Sequence, residues 1–138
     1  MKIVTATVID SSIALQWVLV EAGTESARAY VQADGAIAPD ILLAETANVL
    51  AKKVRANEVD AEYAIKALAA VRAAVHLVSS EPLVERALAL SIVLSHPVYD
   101  CVFLACAEDH AGKLVTRDAP FVKRVTERGM GHLLEAAP

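Results

Sequence analysis

The stretch IVTATVIDSSIAL, residues 3–15, decides the fold class. Ile3 to Ile9 is a run of β-branched and apolar residues of strand length, which reads as a short buried strand. Asp10 stands at its carboxyl end. Ser11 and Ser12 then offer helix caps ahead of the apolar segment Ile13–Val20. A buried strand that passes through one acid directly into a helix is the opening unit of an α/β domain.

The rest of the chain repeats that alternation. Gly23 and Thr24 open a helix to about Gln32, Asp34-Gly35 is a turn, and Ala36–Ala38 is a strand stopped by Pro39. Asp40 starts a long helix to about Asn57. Its apolar stripe is Leu43, Ala47, Leu50 and Val54, and its polar stripe is Glu45, Asn48, Lys52 and Arg55. Asp60 caps the next helix, to about Arg72, and Val75–Val78 reads as a strand. Ser80-Glu81-Pro82 opens a helix ending near Ser95, and His96-Pro97 is a connecting loop. Asp100 begins the helix Cys101–Ala107, apolar on every side and therefore buried, with Tyr99 and Leu104 spaced as a hydrophobic staple. Gly112 ends that helix, Lys113–Thr116 is a strand, and Asp118-Ala119-Pro120 opens the last helix, to about Arg128. Met130–Leu134 is a final short strand. Alternating strands and helices predict one α/β domain over residues 1–138, with a mainly parallel sheet flanked by helices on both faces.

Composition narrows the class. A chain of 138 residues suits one domain. Hydrophobic residues make up 56% but aromatics only 4%, so the core is aliphatic and alanine-rich. That balance excludes disordered and low-complexity classes. Two cysteines are too few for a disulfide scaffold and fit a reducing cytoplasm. No apolar run approaches the roughly 20 residues that span a bilayer, and the N-terminus lacks a signal-peptide pattern, so a cytoplasmic protein without membrane association is expected.

The chemistry lies in the acids. Asp10 and Asp118 follow strands and precede helices, and each alone reads as a cap. Asp100 precedes the buried helix. Glu45 lies in the first turns of a helix that follows a strand, where a solvated acid would pair with Asn48 or Lys52. A parallel sheet directs all these junctions to one edge, so the four acids can converge on one cleft. Close carboxylates repel and need raised pKa values or a cation. A hard, oxygen-preferring ion such as Mg²⁺ or Mn²⁺ suits them. The chain carries 13 Lys and Arg against 17 Asp and Glu. Setting the quartet aside leaves the remainder neutral, so the acidity belongs to the site. A bound cation would reverse the local field and admit phosphate, with Lys52, Arg55, Arg117, Lys123 and Arg124 as candidate backbone contacts.

Four segments, VIDSSIAL around Asp10, APDILLAETANVL around Glu45, HPVYDCVFLACAE around Asp100 and LVTRDAPF around Asp118, resemble in order and separation the PIN-domain family, specifically toxins of the VapC type. The resemblance implies a PIN fold, Mg²⁺- or Mn²⁺-dependent endoribonuclease activity on RNA, a homodimer, and neutralisation by a small VapB-like antitoxin. It assigns Asp10, Glu45, Asp100 and Asp118 as catalytic and metal-binding residues, with Ser12 and Thr116 as polar support. Lys52 and Arg117 are the substrate-binding candidates.

Other chemistries fit less well. The chain has no Gly-rich phosphate loop. Ser12 stands where aspartyl-nucleophile phosphohydrolases place a second aspartate. Cys106 and His110, four apart, are two ligands and make no zinc site. Cys101 and Cys106 are read as small core residues. Trp17 fits either the core or a partner surface. The competing functional class is a non-catalytic module that keeps the fold and acts through protein or RNA partners.

Overall fold

The computed structural model describes residues 6–19 and 36–135. The start of the opening strand, the helix expected from Thr24 to Gln32 and the Asp34-Gly35 turn lie outside the described residues. Within them the chain runs β1 (Thr7–Ile9), α1 (Ser11–Val18), β2 (Ala36–Pro39), α2 (Ile41–Arg55), α3 (Ala61–Ala74) and β3 (His76–Val78). A 3₁₀ turn at Glu81–Leu83 leads into α4 (Val84–Leu94), α5 (Val98–Asp109), β4 (Lys113–Val115) and α6 (Ala119–Glu127). A second 3₁₀ turn at Gly131–Leu133 precedes β5 (Leu134–Glu135).

The five described strands pair in the order β3-β2-β1-β4-β5, and every pair is parallel. Helices flank this sheet, so the α/β expectation is met. The chain winds outward from β1 through β2 to β3, then returns to the other side of β1 for β4 and β5. Connections leaving β1 and β4 therefore diverge and open a crevice at their carboxyl ends. Register matters here. Ile9 lies opposite Val115, so the residues that follow them, Asp10 and Thr116, leave the sheet side by side.

Helix α5 packs across β1, β2 and β4. All of Cys101–Ala107 is buried, which is why this helix is apolar on every side. Phe103 and Leu104 of this helix, with Phe121, Ile9, Ile13 and Leu42, are among the largest side chains closed off in the core. Trp17 is partly buried and packs against this core. A smaller cluster of Leu19, Leu50, Ala64 and Ala67 joins α1, α2 and α3. Among the described residues no single helix is long and apolar enough to cross a membrane, and the apolar pair Glu81–Leu94 and Val98–Asp109 meets at 116°.

Ser11 and Ser12 lie inside α1, which Asp10 caps, and the expected strand at Met130–Leu134 is a 3₁₀ turn at Gly131–Leu133 leading into the strand Leu134–Glu135. Three further local expectations are corrected. Helix α5 begins at Val98 after Pro97, so Asp100 sits inside its first turn instead of capping it, and Tyr99 is 66% exposed, with no staple role. Helix α2 buries Leu42, Thr46 and Leu50; of the predicted stripe Leu50 is buried as expected, while Leu43, Ala47 and Val54 are only partly buried. The polar Thr46 disguises that face in the sequence. Gly112 does not supply the left-handed turn after α5. Ala111 does, at φ 50°. Gly112 is needed because a Cβ there would collide with the carbonyl oxygen of Ala6, where Lys113 N–H bonds at 3.0 Å to start β4 beside β1.

Substitutions at these neighbours should therefore act in opposite directions. Gly112→Ala is expected to lower stability by about 1–3 kcal/mol through overpacking against Ala6. Ala111→Gly is expected to raise it by about 1 kcal/mol by relieving the left-handed backbone. Chemical denaturation of both variants checks this, and a Gly112→Ala variant as stable as wild type would contradict the close approach.

Candidate metal centre

Asp10 caps α1, accepting from the Ile13 N–H at 3.3 Å. Two hydroxyls also reach it. Ser12 Oγ donates to Oδ1 at 2.5 Å, and Thr116 Oγ1 donates to Oδ2. Each hydroxyl is itself held by the loop after β4: Arg117 N–H donates to Ser12 Oγ at 3.1 Å, and Asp118 N–H donates to Thr116 Oγ1 at 3.1 Å. Ser12 and Thr116 thus relay backbone donors to both oxygens of one acid. Burial nonetheless pushes the Asp10 carboxyl from an ordinary 3.8 up to about 6, against these hydrogen bonds and with a further push from the charge of Asp100.

Glu45, in the second turn of α2, accepts from Ser11 Oγ at 3.0 Å. That bond replaces the expected pairing with Lys52 or Asn48. Its pKa is raised, chiefly by burial, then by the charges of Asp100 and Asp10. Asp100 is half-buried and its pKa is also raised, by burial first and by the charge of Asp118, while a hydrogen bond from His96 pulls the other way. Asp118 caps α6 through Oδ1, which accepts from Phe121 N–H at 3.1 Å.

Asp100 links the four acids, its charge acting on Asp10 and Glu45 while that of Asp118 acts on it. The tightest grouping is a different set, however. His96, Asp100 and Asp118 each offer a ligand atom, and these atoms lie within 4.8 Å of one another. His96 Nε2 is 2.5 Å from Asp100 Oδ2 and 3.9 Å from Asp118 Oδ2. The sequence reading missed His96 by treating it as loop. Its spacing of four from Asp100, across the start of α5, is the signal that could have found it.

The cations divide. Lys52 is exposed on α2, seven residues after Glu45 and so on the same face, and Arg117 is exposed between Thr116 and Asp118. Arg55 instead lines an apolar groove of about 410 Å³ between α2 and α3. Lys123 lies 4.0 Å from Glu127. Arg124 turns inward, donating to the Ser95 carbonyl at 2.6 Å and to His96 Nδ1 at 3.0 Å, so its guanidinium is engaged within the fold. Away from the cleft, His110 Nδ1 bonds the Cys106 carbonyl at 2.9 Å. Burial pushes the Cys101 and Cys106 thiols up to about 11 and 12, which suits inert core residues.

As a donor set the crevice is carboxylate and hydroxyl oxygen, several acids of raised pKa and one adjacent imidazole. Those donors fit a hard divalent cation, which would relieve the repulsion that burial leaves uncompensated.

The family model for the PIN domain matches residues 7–126. Among solved structures, the crystal structure of PAE2754 from Pyrobaculum aerophilum resembles this chain with a TM-score of 0.76 at 17% identity, over 96% of this chain and 91% of that one. At that identity the likeness bears on the fold alone. No curated protein shows a significant match to the chain.

The raised Asp10 pKa has a pH consequence. A carboxyl that holds its proton more tightly folded than unfolded contributes stability that is present below about 4 and is lost as pH rises through about 6. The metal-free protein is therefore expected to melt at falling temperature across that window. Asp10→Asn should flatten the slope and raise the neutral-pH melting temperature. A profile rising from pH 4 to 6, unchanged by Asp10→Asn, would contradict the burial argument.

Proposed function

This chain belongs to the PIN domain family, and from that premise we propose that it is an endoribonuclease dependent on Mg²⁺ or Mn²⁺, with Asp10, Glu45, Asp100 and Asp118 as its site. PIN domains are generally metal-dependent nucleases. The observation that carries the reading for this chain is the convergence of four carboxylates at the β1/β4 crevice, with Asp10 buried and its pKa raised. Keeping such a group ionised at neutral pH costs stability, which a purely structural cap does not require.

Asp10 and Asp100 would hold the ion directly, and Asp118 and Glu45 would complete the site directly or through water. When bound, a divalent ion neutralises charge at the phosphate and acidifies a water for in-line attack. The chain's own contributions are positional. Ser12 and Thr116 fix the Asp10 carboxylate. Ser11 fixes Glu45, a raised-pKa carboxylate suited to accepting a proton from the attacking water. Lys52 and Arg117, exposed near Glu45 and Asp118, would contact the RNA backbone.

On the same reading the protein is the toxin of a toxin–antitoxin pair, acting in the cytoplasm as a homodimer and silenced by a small VapB-like antitoxin. Exposed apolar residues support a partnered surface. Val84, Leu88 and Ile92 repeat every four residues along α4 with Val93 beside them, all at least 45% exposed.

Purified, antitoxin-free protein is expected to cut total RNA into discrete fragments with Mg²⁺ or Mn²⁺ and not with EDTA. Asp100→Asn should lower turnover by about 100-fold or more without lowering the melting temperature, since burial already disfavours the charge at that position. Lys52→Ala should raise KM with kcat little changed. Neither cleavage nor metal-induced stabilisation in the wild type would favour a binding module that works through partners.

A further inference from the structure

We propose that His96 is a positioning residue: Arg124 holds its imidazole in the Nε2–H tautomer, so that it orients the Asp100 carboxylate and is barred from ligating the metal itself. The proposal rests on the reading of the crevice as a metal centre.

The corner between α4 and α5 sets the ring's position. Ser95 takes a left-handed conformation, φ 50°, and turns the chain so that His96 points inward. The ring is buried and lies on Phe121 with centroids 4.5 Å apart. Ser91 Oγ donates to the His96 carbonyl at 2.5 Å, tying the backbone as well. The imidazole is therefore held from both sides before any chemistry is considered.

Its protonation pattern follows from its partners. A guanidinium has only donors. Arg124 Nη1, 3.0 Å from His96 Nδ1, must therefore use the lone pair of that nitrogen. The ring proton is then on Nε2, which faces Asp100 Oδ2 at 2.5 Å and donates to it. Asp118 Oδ2, at 3.9 Å, is beyond hydrogen-bond range of the same nitrogen.

Two consequences follow for a bound ion. The spacing of His96, Asp100 and Asp118, within 4.8 Å, looks like a mixed nitrogen–oxygen ligand set. Nε2 cannot join it without losing its proton while Nδ1 remains committed to Arg124, which would require an imidazolate. The centre is therefore all-oxygen, the character that suits Mg²⁺ and Mn²⁺ over Zn²⁺. Asp100, with one oxygen tied to His96, presents the other at a fixed angle. Hydrogen bonds of this outer kind typically change metal affinity by about 10–100-fold when removed.

The test measures metal binding, apart from cleavage. Mn²⁺ and Zn²⁺ affinities are determined by calorimetry on the full chain for wild type, His96→Leu, His96→Gln and Arg124→Met, with pulsed electron paramagnetic resonance on the Mn²⁺-loaded wild type. The wild type should show no directly bound nitrogen. His96→Leu should weaken Mn²⁺ binding by about 10–100-fold, and His96→Gln, whose amide can donate to Asp100, should recover most of it. Arg124→Met should shift preference toward Zn²⁺ by freeing Nδ1, and carries the test should His96→Leu not fold. A bound-nitrogen signal in the wild type, unchanged Mn²⁺ affinity in folded His96→Leu, or an unchanged Zn²⁺/Mn²⁺ preference in Arg124→Met would each overturn the proposal. A wild type that binds no Mn²⁺ would instead bring down the metal-centre reading and this inference with it.

Discussion

The parallel pairing of β1 with β4 is the constraint on which the crevice depends. With Ile9 opposite Val115, Asp10 and Thr116 leave neighbouring strands in step, and the Thr116 hydroxyl closes on the acid. The same hydroxyl accepts the N–H of Asp118, and Ser12 makes the matching bridge to the N–H of Arg117. One buried carboxylate thereby stitches the start of α1 to the start of α6. A slip of the pairing by one residue would turn Thr116 to the other face of the sheet and unmake both bridges. Gly112, at the entrance to β4, protects that register by letting the backbone of Ala6 come close.

Around this stitch the helices are arranged to favour negative charge. Asp10 and Asp118 cap α1 and α6, Asp100 lies in the first turn of α5, and Glu45 lies near the start of α2. Three helix N-termini, those of α1, α5 and α6, thus present their positive ends to Asp10, Asp100 and Asp118, a contribution of typically 0.3–1 kcal/mol each, while Glu45, a turn further in, gains little. Burial outweighs it. The pKa values of Asp10, Glu45 and Asp100 are all raised, with desolvation the leading cause in each. The fold therefore carries an electrostatic cost at its crevice that its own dipoles and hydroxyls only partly offset, as expected where stability has been traded for function.

What could be read from the sequence was whatever local chemistry dictates. The strand ending in Asp10, the caps at Asp10, Asp60 and Asp118, and the buried α5 follow from β-branched runs, short polar side chains and unbroken apolarity, and all are present. The convergence of the acids followed from the geometry of parallel sheets. What escaped was set by tertiary contact. Arg124 and His96 are 28 residues apart, and nothing in either neighbourhood reveals that they touch. Pro97 conceals the start of α5, because a proline reads equally as a loop or as the residue before a helix, and Asp100 was accordingly placed one turn too early. The face of α2 was misjudged because Thr46, though polar, is fully buried.

Capping and metal binding are competing readings of the same acids in the sequence, and the atoms show why they are compatible. A carboxylate offers two oxygens and about four lone-pair directions. Asp118 uses Oδ1 to cap α6, while Oδ2 faces His96 and Asp100. Asp100 uses Oδ2 for His96 and keeps the other oxygen. Asp10 accepts three donors, two on Oδ1 and one on Oδ2, and keeps about one lone pair, on Oδ2, to offer. Each structural bond fixes the orientation of the oxygen it leaves over. Caps and hydroxyls at this crevice are therefore what make its remaining oxygens a defined donor set, instead of four mobile charges that would repel one another apart.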